Sequence, residues 1–221
     1  EIVMQTIAHY NVRESIAFTY DVHVVETLWA IRKGLFPAVG AIREVGTTVI
    51  IEDVAFPVEH LAAGGRDLQQ LFDQFNYHEA IILGHALDGN LHFVFTQSFD
   101  TPDEIKRYSD FMDYLTQLVA VKHCGSLKAE HGTGRNMAPY VELEWGKAGY
   151  ALMQQIKTLF DPTGLLNPGV IINDNSKAHI QNLKPMPQAD DLIDRCIECG
   201  FCEPVCPSRT LTLSPRQRIV L

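Results

Sequence analysis

Residues 1–221 contain no uninterrupted apolar run near the roughly 18 residues that a bilayer-spanning helix needs. The first residues also lack the basic, apolar, small-residue order of a secretory leader, so the expected compartment is the reducing cytoplasm, free or peripheral at the inner membrane. There is no internal repeat, no low-complexity tract and no Gly-rich dinucleotide fingerprint. Positive charge is scarce. The formal net charge is −9, and residues 1–176 hold 12 Lys/Arg against 22 Asp/Glu, while residues 177–221 hold six against five. An acidic surface repels phosphate backbones, so nucleic acid is not an expected partner, and an anionic small substrate would need a local basic or metal site. With 46% hydrophobic and 20% charged residues, the composition is that of a globular chain able to bury one substantial core plus an appendage.

Cysteine is nearly absent before residue 196. Cys124 stands alone and is expected to be a buried thiol. Cys196, Cys199, Cys202 and Cys206, followed by Pro207, then form a C-x2-C-x2-C-x3-C-P run, in which thiolates grip a cubane iron–sulfur cluster. The first three sulfurs can wrap one cluster, while the fourth serves the other cluster in two-cluster ferredoxins. No second quartet exists here, so partner cysteines are expected outside this sequence. Structural zinc and disulfides are the alternatives, but zinc ribbons usually separate two C-x2-C pairs by a longer stretch, and disulfides belong to secreted chains. The leading reading is an electron-transfer module. The chain opens at Glu1 without an initiator Met and stops in a basic, apolar pattern without cap or turn, so both ends are expected to be cuts in a longer protein.

Apolar residues at Val24, Val25, Leu28, Trp29, Ile31 and Leu35 recur with helical period and predict a helix over 21–36 with one buried face. Residues 47–56 are rich in β-branched side chains and read as a strand. Pro57 can open a helix through about residue 75, weakened by Gly64 and Gly65. Residues 77–84 and 90–97 read as two strands joined by a turn at Leu87, Asp88 and Gly89. Thr101, Pro102 and Glu104 spell a capped helix start running to about residue 123. A short strand over 126–131 and one or two helices over 141–160 complete the order α-β-α-β-β-α-β-α. This pattern predicts an α+β fold, an antiparallel sheet covered by helices on one face in the ferredoxin-like manner, followed by the start of a helical iron–sulfur module. The expected boundaries are 1–172 for the sheet domain, 173–189 for a polar linker carrying Pro185 and Pro187, and 190–221 for the cysteine module.

A second constellation lies in the sheet domain. His85 and His92 stand seven residues apart across a Gly-bearing turn, and Glu130 and His131 follow within Ala129-Glu130-His131-Gly132-Thr133-Gly134. Two imidazoles and one carboxylate suit zinc, manganese or iron(II), and three protein ligands leave coordination positions open for a substrate. On spacing alone, separately satisfied polar groups at strand ends are the commoner reading.

The strings GHALDGNLHF, AEHGTG and LFDPTGLLNPG, with Glu52-Asp53-Val54-Ala55-Phe56-Pro57, together resemble the C-terminal domain of FAD-linked 2-hydroxyacid oxidoreductases, the group of D-lactate dehydrogenases, D-2-hydroxyglutarate dehydrogenases and glycolate oxidase. The likeness covers roughly residues 20–172, and with the cysteine module it is nearest the large bacterial FAD and iron–sulfur D-2-hydroxyglutarate dehydrogenases. The resemblance implies that His85, His92 and Glu130 bind a divalent metal, zinc or manganese, and that His131 is the general base. It further implies that Asn90 lines the same pocket, that Arg32 grips the carboxylate of a small 2-hydroxy acid, and that Asn167 approaches the flavin. Electrons would leave through 4Fe-4S clusters to a downstream acceptor. Two departures are visible: Ile51 stands where several relatives have a basic residue, and Ala86-Leu87 alters the first histidine motif.

The same resemblance places FAD in a separate domain, which residues 1–221 do not supply. The rival function, from a different class, is an iron–sulfur electron-transfer subunit without hydride chemistry of its own; it leaves the His–Glu set without a task. The purified chain is expected to be colourless in the flavin region and inactive on 2-hydroxy acids, as an absorbance spectrum and a dye-reduction assay would register.

Overall fold

The computed structural model describes residues 2–10, 17–183 and 188–220; Pro185 and Pro187 of the expected linker lie outside them. The chain divides into two compact units, residues 1–39 and 40–221. The first holds α1 (Ile2–Ile7) and most of α2 (Val22–Ala41). The Asp21 carboxylate starts α2 by accepting the N–H groups of His23 and Val24 at 2.9 and 3.3 Å. The helix runs past the expected end at residue 36 and continues through Pro37. Its predicted buried stripe is a correction: Leu28, Trp29 and Ile31 are more than half exposed. The six-residue α1 has no buried residue.

The second unit is built on β1 (Thr48–Ala55), α3 (Leu61–Gln74), β2 (Ile81–His85), β3 (Asn90–Gln97), α4 (Pro102–Thr116), α5 (Val141–Phe160) and α6 (Pro215–Val220). The three strands form an antiparallel sheet in the order β1-β3-β2. The α+β expectation holds. One face of β3 carries Phe93 and Phe95, both fully buried, with Val54 of β1 beside them. Against them pack Leu68, Leu71 and Phe72 of α3 and Tyr108, Phe111, Met112 and Leu115 of α4. Phe72 stacks on Phe111 at 5.5 Å and meets Phe93 edge-on at 5.4 Å. Each such ring contributes about 1.5–3 kcal/mol by leaving water.

The capped start of α4 forms as expected, with the Glu104 N–H donating to Thr101 Oγ1 at 3.3 Å and the Thr101 N–H donating to Glu104 Oε2 at 3.1 Å. Residues 117–122 widen into a π-helical turn, where Lys122 and His123 reach Asp67 at 2.7 and 2.6 Å. Gly64, which weakens α3 intrinsically, is there for packing: a Cβ would lie 2.6 Å from the Phe56 ring. Cys124 is a further correction. It is exposed, with left-handed φ of 52°, in the turn that leads from the π-helical segment into the Ala55–Ser126 bridge.

The expected strand over 126–131 is absent. Only Ser126 pairs, through an isolated bridge to Ala55. The N–H groups that a ladder would use at 129, 130 and 131 all point instead at the Asp53 carboxylate. The expected linker begins as packed structure: Ala178 and His179 are buried, and the His179 ring meets Tyr140 at 5.3 Å.

The β2–β3 connection is a single 3-10 turn, Ala86–Asp88, closed by Gly89 at φ 69°. A Cβ there would also lie 2.0 Å from the Phe56 carbonyl oxygen. Gly89→Ala should therefore cost about 2–4 kcal/mol, combining a left-handed conformation with a backbone clash, measurable as a lower urea midpoint.

Candidate metal and proton-transfer site

Alternation along β3 puts Asn90 and His92 on the face opposite Phe93. The register sets His85 across from Asn90 and Asp53 across from His92, so three strands project four polar side chains from one face at one end of the sheet. The loop after Ser126 brings Glu130 over them. Its Oε1 lies 2.9 Å from His92 Nε2 and 3.5 Å from His85 Nε2, and it accepts a hydrogen bond from Asn90 Nδ2 at 3.0 Å. His85 and His92 meet edge to face, with ring centroids 5.4 Å apart.

What holds Glu130 there is Asp53, which is fully buried. Its Oδ2 accepts the N–H groups of Ala129, Glu130 and His131 at 3.1, 2.7 and 3.3 Å, and its Oδ1 lies 3.2 Å from His131 Nδ1 and 3.4 Å from Lys128 Nζ. Lys128 also pairs with buried Glu52, whose other oxygen accepts from Asn136 Nδ2 at 2.6 Å. Burial pushes the Asp53 carboxyl up, but the Glu130 amide, the Lys128 charge and the His131 contacts outweigh it and hold the group below the usual carboxylate range. The His131 ring stacks on His92 at 5.1 Å. For His92 burial is the larger influence and depresses its pKa against the pull of Glu130, which favours the neutral imidazole a metal requires.

The donor atoms of His85, His92 and Glu130 all lie within 4.8 Å of one another. Ligands about 2.1 Å from a tetrahedral ion sit about 3.4 Å apart, so the observed spacing fits a small divalent cation with little rearrangement. Among the described residues, buried Asn90 Oδ1 and His92 Nδ1 have no hydrogen-bond partner, a condition proteins seldom keep unless a ligand or ordered water answers it. Asp53, His92 and His131 form a second close grouping. With Asp53 already committed to three amides and a lysine, that grouping suits a carboxylate–imidazole pair better than an ion.

Comparison with known proteins bears on this geometry. The profile of the family described as FAD linked oxidases, C-terminal domain, matches residues 1–171. The chain belongs to that family. A second profile, 4Fe-4S binding domain, matches residues 193–212. Glycolate oxidase subunit GlcD of Bacillus subtilis is 28% identical over 155 residues, 70% of this chain and 33% of that protein. The mitochondrial D-lactate dehydrogenase [cytochrome] of Arabidopsis thaliana is 29% identical over 171 residues, 77% of this chain and 30% of the relative. The D-2-hydroxyglutarate dehydrogenase of Haemophilus influenzae is 28% identical over 172 residues, 77% of this chain and 16% of the relative. The chain thus spans a third or less of the length of these curated relatives.

Within the family domain, Asn167 lies on the exposed turn of the LFDPTGLLNPG string, with φ of 43°. That turn is organised by Asp161, which accepts the N–H groups of Leu165 and Leu166 at 3.0 and 2.9 Å and pairs with Lys157 at 2.5 Å. The Lys157 contact, aided by those amides, draws its carboxyl down to about 2. Arg135 Nη2 donates to the Pro168 carbonyl at 3.1 Å and ties the Glu130 loop to the same turn. Arg32 belongs to the N-terminal unit, where its guanidinium lies 5.3 Å over the Trp29 ring.

All four cysteines of the C-terminal run are free thiols, not disulfides. Left-handed Glu198 and Gly200 curl the loop, and the Glu198 N–H points at Cys196 Sγ at 3.4 Å, as amides do around cluster sulfurs. A hydrogen bond from Ser208 lowers the Cys206 thiol pKa. No helix among the described residues is long and apolar enough to cross a membrane.

Reading the sequence for ligands missed the roles of Asp53 and Lys128. The available signal was an acidic pair, Glu52-Asp53, inside a strand otherwise rich in Val and Ile. Because the Asp53 pKa is lowered on folding, its carboxylate stabilises the fold above the unfolded-state pKa near 4, and that contribution is lost as pH falls through the lower folded value. Asp53→Asn should lower stability by about 2–4 kcal/mol near neutrality, by weakening the amide cradle and removing one of the two carboxylates that face Lys128. The gap to the parent should shrink as pH drops below 4, as urea titrations across pH would record.

Proposed function

We propose that this chain is the substrate- and metal-binding part of a FAD-dependent 2-hydroxyacid dehydrogenase that oxidises the 2-hydroxyl to a 2-oxo acid and exports electrons through iron–sulfur clusters. Residues 1–172 form the oxidase-family domain, 173–189 the connection and 190–221 part of the cluster module. D-2-hydroxyglutarate is the favoured substrate, with D-lactate next. The observation that carries the proposal is the convergence of His85 and His92 on one oxygen of Glu130, with His131 fastened beside them to Asp53.

In this reading His85, His92 and Glu130 hold a divalent cation, zinc or manganese, and a separate domain outside residues 1–221 holds most of the FAD. When bound, these groups supply Lewis acidity at the substrate oxygen, a hydride acceptor for the carbon, and, at the cysteines, a one-electron outlet. His131 takes the hydroxyl proton. Donation of its Nδ1–H to Asp53 leaves the basic lone pair on Nε2, the atom positioned to accept a proton. Asn90 orients Glu130 through its amide and keeps Oδ1 for the bound ligand. Arg32 would offer a two-pronged cation to the substrate carboxylate, and Asn167 would approach the flavin. Cys196, Cys199 and Cys202 would hold one 4Fe-4S cluster, with Cys206 serving a second.

Because three ligands share the ion, loss of one carboxylate should weaken binding sharply. Glu130→Gln is expected to reduce zinc or manganese affinity at least 100-fold while the circular dichroism stays that of the parent, as calorimetric titration would measure. Unchanged binding, or metal confined to the cysteines, would instead favour an electron carrier without hydride chemistry.

A further inference from the structure

Arg43 lies just beyond α2 and before β1, outside both constellations described above. Its guanidinium donates to five backbone carbonyls: Nε to Thr47 at 3.0 Å, Nη1 to Gly40 at 3.0 Å and Arg195 at 3.1 Å, and Nη2 to Asp194 at 2.5 Å and Cys196 at 3.1 Å. One of these carbonyls lies in the last turn of α2, one in the chain leading into β1, and three in the segment that ends at the first cysteine of the run. A planar fork with donors on several edges can serve both sides at once, which a single ammonium cannot.

An apolar contact lies next to the fork. Gly40 is buried, and a Cβ there would lie 2.3 to 3.0 Å from side-chain atoms of Ile197, the residue between Cys196 and Glu198. The absence of a side chain at Gly40 is what lets Ile197 seat. The cysteine-bearing segment is therefore held by polar donors at residues 194–196 and by an apolar seat at 197.

We propose that Arg43 and Gly40 are positioning residues that fasten the first cluster-binding loop to the oxidase-family domain, so that the carbonyl of Cys196 is fixed by the protein before any iron is bound. A loop arranged in advance loses less freedom on taking up a cluster, and its distance from the sheet domain is set by short, directional bonds. The attachment stands on geometry alone; its use in carrying electrons rests on the iron–sulfur reading above.

The test needs no cluster, so it can fail independently of that reading. Trypsin must draw the exposed Arg195–Cys196 bond into an extended conformation, and in the parent the Arg195 carbonyl is bonded to Arg43. In Arg43→Gln, cleavage after Arg195 should accelerate at least tenfold, and amide exchange at Asp194 and Cys196 should accelerate with it, while cleavage after Lys106 in α4 stays at the parental rate. Arg43→Lys should release the segment nearly as much, since one ammonium cannot span both sides. An unchanged rate at Arg195 in Arg43→Gln, an equal rise at Lys106, or full protection by Arg43→Lys would each overturn the proposal.

Discussion

The candidate site depends on one buried carboxylate. Asp53 satisfies three consecutive amides of the 129–131 loop and orients the His131 ring, so a single side chain on the edge strand β1 determines where Glu130 and His131 can be. A buried charge is costly unless its lone pairs are filled, and here they are filled by the groups that need placing. Lys128, shared between Glu52 and Asp53, sets a positive charge between two adjacent buried acids. The sheet supplies the rest: its register fixes His85, Asn90 and His92 relative to Asp53 within a few ångströms.

The fold is arranged so that the two faces of the sheet do different work. The Phe93 face is closed by α3 and α4 into an aromatic core, which gives the strands a rigid register. The opposite face at the β2–β3 turn carries the imidazoles, and Gly89 lets that turn close against Phe56 without a side chain in the way. The two histidines stand on rigid strands, and Glu130 and His131 on a loop pinned by a charged group, so the four side chains are held close together.

Much of this was legible from residues alone. Alternation and capping signals marked β1, β3 and α4, since Thr101 and Glu104 act through local contacts. The strand expected over 126–131 was misread because its residues suit a strand while their amides answer to a side chain 76 to 78 residues away. The exposed stripe of α2 was misread because periodicity reports amphipathicity, not what stands opposite it. Cys124 was expected inside on residue type, and turn geometry put it outside.

The motif strings by themselves determined family membership, the four cysteines, and the residues to inspect, because those are matters of residue type and spacing along the chain. Only the tertiary structure decided that His85, His92 and Glu130 share one neighbourhood, that Asp53 is what holds His131, and that Arg43 reaches across to the loop of Cys196. The reason is physical: these contacts join positions far apart in the chain, and what makes them favourable is the burial and register that folding creates.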